Sequence, residues 1–157
     1  MTHSQRRERL AGWLAAEGLD ALLVSDLLNV RYLSGFTGSN AALLVFAGDA
    51  SDTPAVLATD SRYRTQAARQ APDLEVVIER ACAAHLLRRA LGANARRIGF
   101  ESHVVSVDGF DTLSSELTAH RGAELVRASG AVEALREVKD AGELALLRLA
   151  CGAADAA

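Results

Sequence analysis

Chemistry needs side chains that titrate, attack or ligate, and in this 157-residue chain such groups are scattered. The four histidines, His3, His85, His103 and His120, fall in terminal, helical and loop contexts, and none stands at metal-ligand spacing from another ligand. His85 is expected on the surface of a helix over 81–91. Cys82 and Cys151 lie too far apart to read as a zinc knuckle and are too few for a disulfide framework. Both are expected to pack as small hydrophobes. No G-x-S-x-G elbow and no Walker A pattern occurs, and Gly35-Phe-Thr-Gly38 lacks the third glycine of a dinucleotide fingerprint. Taken alone, these groups assemble no catalytic centre.

Two polar segments carry more. Ser34-Gly-Phe-Thr-Gly-Ser-Asn40 sets small and hydrogen-bonding groups beside Phe36, a ring expected to be exposed. Its glycines let backbone approach closely, while Thr37, Ser39 and Asn40 can donate or accept. A turn with capping side chains is the plainer alternative. Thr59-Asp-Ser-Arg-Tyr63 stands where a strand ends and a helix begins, so Asp60 or Ser61 can serve as the N-cap. Arg62 and Tyr63 then fall on the first turn, at the carboxyl edge of the sheet, the usual ligand crevice of open α/β sheets. An arginine there can grip a carboxylate through its bidentate fork.

The elements that must position these segments follow from periodicity. Leu10, Trp13 and Leu14 make one stripe of a helix over Ser4 to Glu17, with Arg and Glu on its other face and Gly18 as its stop. Asp20 to Ser25 reads as a strand buried on both faces, followed by a short helix or turn over Asn29 to Leu33. Strands over Ala41–Phe46 and Ala55–Thr59 flank Gly48 to Pro54, a segment of turn formers expected to be an exposed loop, and their pairing is expected to be antiparallel. Downstream the pattern alternates: helix 61–71, strand 74–79, helix 81–91, strand 96–101, helix 107–119, strand 123–128. Such alternation implies crossovers and a mostly parallel sheet. The expected fold is α/β, a mixed sheet of about six strands with helices on both faces.

Composition narrows the functional classes. Half the residues are apolar, enough for one well-buried domain of this length. Seventeen basic against twenty acidic residues give a net charge of −3, which speaks against a nucleic-acid partner. Sixteen of the seventeen basic residues are Arg and thirty-one residues are Ala, a skew toward GC-rich codons. The longest apolar run, Ala41 to Ala47, is far short of the ~20 residues needed to span a bilayer. No membrane partner is expected, and residues 1–20 lack the apolar core of a signal peptide, so the expected compartment is the cytoplasm.

The end of the chain is different in kind. A short helix is expected over Val132 to Val138, and from Ala141 a second one carries Leu144, Leu147, Ala150-Cys151 and Ala154 on one stripe. It reaches Ala157 without a persuasive stop, which points to a chain cut inside a larger protein.

Asn29-Val-Arg-Tyr-Leu-Ser-Gly-Phe-Thr-Gly-Ser39, then a strand, then Ala58-Thr-Asp-Ser-Arg-Tyr-Arg-Thr-Gln-Ala67, resembles the amino-terminal domain of the creatinase/prolidase ("pita-bread") Xaa-Pro peptidases. The opening helix ending in Gly-Leu-Asp-Ala-Leu-Leu-Val24 is similar too. So is Val132-Glu-Ala-Leu-Arg-Glu-Val-Lys-Asp140 with the helix after it, so the resemblance spans nearly the whole chain. It implies a ribonuclease H-like α/β domain over 1–130, and in 131–157 a linker and the first helix of a carboxy-terminal metallopeptidase domain. That absent domain would hold two divalent ions (Mn, Co or Zn) on Asp, Asp, His, Glu and Glu, so this part of the protein needs neither a cofactor nor a metal of its own. By the same resemblance the chain is non-catalytic, pairs into a homodimer and walls a cleft for an Xaa-Pro peptide. Phe36, Ser39 and Asn40, with Arg62 and Tyr63 behind them, are the candidate substrate contacts. The competing expectation is a stand-alone ligand-binding or interaction module, and a third is a small flavodoxin-like cofactor domain. On the first reading the stripe through Leu144, Leu147, Cys151 and Ala154 belongs against the absent domain. Without it, the stripe should be disordered, folded back or paired with another copy.

Overall fold

Thirteen helices and strands follow one another in the computed structural model, which describes residues 1–48 and 54–156. They are α1 (His3–Ala16), β1 (Ala21–Val24), α2 (Leu27–Ser34), β2 (Ala41–Phe46), β3 (Val56–Thr59), α3 (Arg64–Gln70), β4 (Glu75–Ile78), α4 (Cys82–Gly92), β5 (Arg97–Phe100), α5 (Val107–Glu116), β6 (Glu124–Arg127), α6 (Ala131–Glu137) and α7 (Ala141–Asp155). Short 3₁₀ turns at Ser61–Tyr63 and Leu117–Ala119 lead into α3 and extend α5. Most of the turn anticipated between β2 and β3, residues 49–53, lies outside the described residues.

The six strands form one sheet in the order β4-β3-β2-β1-β5-β6. β2 is antiparallel to both its neighbours, and every other pairing is parallel, so five strands share one direction. The antiparallel pairing of β2 with β3 is as the sequence implied; the antiparallel pairing with β1 extends it. All four residues of β1 are buried, as expected of a central strand covered on both faces. Strand alternation deals its side chains to two cores. Leu22, Val24, Leu43, Val45 and Leu57 pack with Leu10 and Leu14 of α1 and Val30 and Leu33 of α2. Ala21, Leu23, Leu44, Val56 and Ala58 pack on the other face with Leu86 and Leu87 of α4 and Leu113 of α5.

Helix starts follow local chemistry. Thr2 and Gln5 form a capping box on α1, Asp26 caps α2, and Asp140 with Glu143 forms a second capping box on α7. Gly35 ends α2 in the left-handed conformation at φ 79°, where a side chain would also press on the His3 ring.

On the polar face of α1, Arg6 and Arg7 are buried. Their guanidiniums donate to the Tyr32 and Leu33 carbonyl oxygens, which the end of α2 leaves without helical partners. Arg6 also reaches Asp140 and Glu143 at the start of α7, and Arg7 pairs with Asp73. Cys82 packs inside as anticipated, but Cys151 is exposed, because nothing covers its face of α7. Finally, the apolar stripe is neither disordered nor folded back: α7 is a continuous helix with no buried residue, and Leu144, Leu146, Leu147 and Leu149 are open. Among the described residues no helix is long and apolar enough to cross a membrane.

Candidate functional site

Five strands running the same way place five carboxyl ends at one edge, and the amino end of β2 joins them there. The residues singled out in the sequence gather at this edge. Asn40 precedes β2, Asp60 follows β3, and Asn40 Nδ2 donates to Asp60 Oδ2 at 2.9 Å. Asp60 caps the 3₁₀ turn by accepting the Arg62 backbone N–H at 3.1 Å. The Arg62 side chain folds back on the same carboxylate, Nε donating to Oδ1 at 2.9 Å and Nη2 to Oδ2 at 2.8 Å. The bidentate fork expected for a ligand is thus closed on Asp60, two residues away, although the Arg62 side chain stays 66% exposed. Hydrogen bonds from Arg62 first, and from Asn40 second, hold the Asp60 carboxyl well below the usual carboxylate range. The same pairing raises Arg62 further above its already high value.

The Gly35–Asn40 loop lies alongside. Ser39 Oγ and the Tyr63 hydroxyl are 2.7 Å apart, and that hydrogen bond lowers the Tyr63 phenol from its ordinary value. The Arg62 guanidinium sits 5.2 Å from the centre of the Tyr63 ring. Thr37 donates from its backbone to Gln70 Oε1 at 3.0 Å, and Gln66 donates to the Thr37 hydroxyl at the same length, so α3 braces the loop.

Phe36 corrects the sequence reading. Its ring is 1% exposed and meets Tyr63 edge-on, with ring centres 5.7 Å apart. The Phe36 backbone N–H donates to Ser34 Oγ, which donates in turn to the Val30 carbonyl at 2.6 Å; this local hook turns the ring inward. A Cβ on Gly38 would collide with the Phe36 ring, so the loop needs glycine there to close over it. Phe36 is the floor of the loop, Ser39 and Arg62 are its exposed top, and Asn40 and Tyr63 lie half-buried between.

Asn40, Asp60, Ser61 and Arg62 form one wall of an open cleft of about 610 Å³, and Ile78, Glu79 and Arg80 form the other. Cys82, at the start of α4, donates to the Glu79 carbonyl at 3.0 Å, and burial raises its thiol. A buried, neutral thiol is a poor nucleophile. The cleft therefore offers paired charges and hydrogen-bonding groups. Glu79 and Arg80 were not legible in the sequence: they belong to the strand-to-helix connection after β4, and only the β3–β4 pairing brings them opposite Asp60.

A second polar group sits farther along the same edge. Asn29, buried in α2, donates through Nδ2 to Glu101 Oε1 after β5 and to Glu133 Oε1 on α6, both at 2.6 Å. Arg136 Nη1 donates to Asn29 Oδ1 at 2.8 Å. Glu101 also accepts the backbone N–H groups of Ser25 and Asp26. Burial pushes the Glu101 carboxyl up, against those hydrogen bonds. Beside this network Asp26, His103 and Glu133 bring their ligand atoms within 4.8 Å of one another, the one such group found among the described residues. Its members lie too far apart along the chain for any spacing to signal it.

Comparison with known proteins identifies the family and the fold. The model of the creatinase/prolidase N-terminal domain matches residues 6–138. An uncharacterized peptidase, YqhT, of Bacillus subtilis (strain 168) is 32% identical over 149 residues, which cover 94% of this chain but 40% of that protein's length. Among solved structures, the N-terminal domain of the cytoplasmic peptidase PepQ from Mycobacterium tuberculosis H37Rv is 62% identical, with a TM-score of 0.79, covering 83% of this chain and 98% of that one. An Xaa-Pro aminopeptidase from Streptococcus pyogenes is 32% identical at a TM-score of 0.74, covering 85% of this chain and 96% of that one. The Xaa-Pro dipeptidase from Bacillus anthracis is 25% identical at a TM-score of 0.78 over 91% of this chain and 38% of its own.

Proposed function

Since this chain belongs to the creatinase/prolidase N-terminal domain family, we propose that it is the non-catalytic amino-terminal part of a cytoplasmic Xaa-Pro aminopeptidase or dipeptidase. The observation that carries the reading is the family match over 6–138, with 62% identity to a solved N-terminal domain of a cytoplasmic peptidase. Residues 1–130 form the domain proper. Residues 131–157 form the linker and the first helix of a metallopeptidase domain, which would cover the leucines left open on α7.

In that assembly the carboxyl edge is the rim of the peptide cleft. Ser39, Asn40, Arg62 and Tyr63 face the substrate, and Phe36 holds their loop from beneath. The Asp60–Arg62 pair keeps a fixed charge at the rim, and a peptide carboxylate would compete with Asp60 for the Arg62 fork. Homodimerisation brings this rim toward the partner's catalytic half.

Peptide hydrolysis in this family would draw on two divalent ions, which activate water and polarise the scissile carbonyl. The residues of this chain do not fit such a centre. It calls for five ligands, Asp, Asp, His, Glu and Glu, whereas Asp26, His103 and Glu133 are the one converging group among the described residues. No step of peptide hydrolysis is assigned to this chain's side chains. Reading the coding frame past codon 157 tests the proposal: continuation into a domain with that five-ligand set supports it, and an immediate stop favours a stand-alone binding module.

A further inference from the structure

We propose that Asp26, His103 and Glu133 bind one divalent transition-metal ion that staples α6 to the carboxyl edge of the sheet. The three donors come from three places that folding brings together: the N-cap of α2, the loop after β5, and α6. One imidazole and two carboxylates make a donor set for a borderline ion such as Zn²⁺, with water in the remaining position.

Each donor is already oriented. Asp26 commits Oδ1 to the Leu28 backbone N–H at 2.7 Å and keeps its second oxygen for a ligand. His103 Nδ1 lies 3.1 Å from Ser129 Oγ, which fixes the ring and leaves Nε2 on the side of the carboxylates. Nε2 stands 3.2 Å from Glu133 Oε1, so the imidazole and this carboxylate already face one another. Glu133 Oε2 supplies an independent indication: although the side chain is 34% exposed, this oxygen is shielded from solvent and has no hydrogen-bond partner among the described residues, while Oε1 stays with Asn29. A buried carboxylate oxygen left unpartnered is costly, and a cation is the partner that would satisfy it best.

The charge balance points the same way. Glu101 and Glu133 both accept from Asn29, and the Asp26 carboxyl lies beside Glu133, while the guanidinium of Arg136 donates to the Asn29 amide oxygen. A divalent ion would offset that excess. It would also fix α6, and with it the direction in which α7 leaves the domain. This inference rests on these residues alone and does not depend on the peptidase reading.

The test is calorimetric titration of the chelator-treated chain with Zn²⁺, alongside His103→Ala, Glu133→Gln and His120→Ala. The expected result is saturation at one equivalent, affinity at least tenfold weaker in His103→Ala and in Glu133→Gln, and no change in His120→Ala. Zn²⁺ should also raise the melting temperature of the unmodified chain but not that of His103→Ala. Glu133→Gln also disturbs the Asn29 network, so if it fails to fold the partly exposed His103→Ala decides alone. The proposal is overturned if no saturable binding occurs, if His103→Ala binds with unchanged affinity, or if binding follows His120. In any of those cases His103 and Glu133 form a simple surface ion pair.

Discussion

Leu22 and Leu149 are the same residue in opposite circumstances. Leu22 lies in the central strand with 0% exposure, between α1 on one side and neighbouring strands on the others; Leu149 lies on α7, 71% exposed, with Leu144, Leu146 and Leu147 open around it. Burying a leucine is worth about 1.5–3 kcal/mol, so the sheet and its helices have gained what their apolar residues offer, while α7 has not. The contrast separates a domain whose apolar faces are covered from an arm whose leucines stay open. What joins them is polar: Arg6 of α1 grips Asp140 and Glu143, and the Tyr32 hydroxyl donates to the Leu135 carbonyl.

The comparison can be broken most sharply by truncating one leucine of each kind. Leu22→Ala should destabilise the chain by about 2–5 kcal/mol, lowering the melting temperature by roughly 2–4 °C for each kcal/mol. Urea unfolding with an unchanged slope would confirm that the loss is one of native packing. A cost below about 1 kcal/mol would show that the two-faced core is not as tight as its burial implies.

Next in size is the polar joint. Arg6→Ala removes hydrogen bonds to the Tyr32 carbonyl and to Asp140 and should cost about 1.5–3 kcal/mol. Amide exchange should quicken at the start of α7 before it quickens in β1; uniform quickening would mean the joint is part of the core. The same joint has a pH signature. Hydrogen bonds from the Glu143 backbone and from Arg6 hold Asp140 well below the usual carboxylate range. A depressed carboxyl contributes its stability above the unfolded value, about pH 4, and loses it as pH falls through the folded value. The melting temperatures of the chain and of Asp140→Asn should therefore converge as pH drops below about 4. Glu101, raised by burial, acts in the opposite sense: what it contributes is present in acid and lost as pH rises through its folded value.

Smaller effects sharpen the picture. Tyr63→Phe removes the exposed hydrogen bond to Ser39 and leaves the edge contact with Phe36 in place, so thermal melting should shift far less than for Arg6→Ala; an equal shift would mean that this bond holds the loop. Leu149→Ala should stay within about 0.5 kcal/mol in this chain. A larger loss there in urea unfolding would mean α7 is already covered in solution.

Much of the fold was legible because it rests on local periodicity. The apolar runs of β1 and β2, the cap at Asp60 and the alternation from α3 onward all speak within a few residues. Legibility failed where long-range contacts override composition. The polar loop around Phe36 suggested an exposed ring, but the Ser34 hook and Tyr63 draw it inward. Arg6 and Arg7 fall on the polar face of α1, and nothing local shows that α2 ends against them. Asn29 reaches partners 72 and 104 positions away, and His103 meets Asp26 and Glu133 only after three elements have converged. At the carboxyl edge the residues singled out do gather, but the partner of Arg62 was not legible: a neighbouring carboxylate is a cheaper partner than a distant one, and nothing in residue spacing excludes it.

The central claim, that this chain is the wall of a peptidase site and not its reaction centre, is tested most directly by turnover. Pure chain should be incubated with Xaa-Pro peptides and added Mn²⁺, Co²⁺ or Zn²⁺, with release of the amino-terminal residue followed against metal-only controls. The account predicts no release above those controls, even if Zn²⁺ binds at His103. Saturable, chelator-sensitive hydrolysis by the chain alone would contradict it.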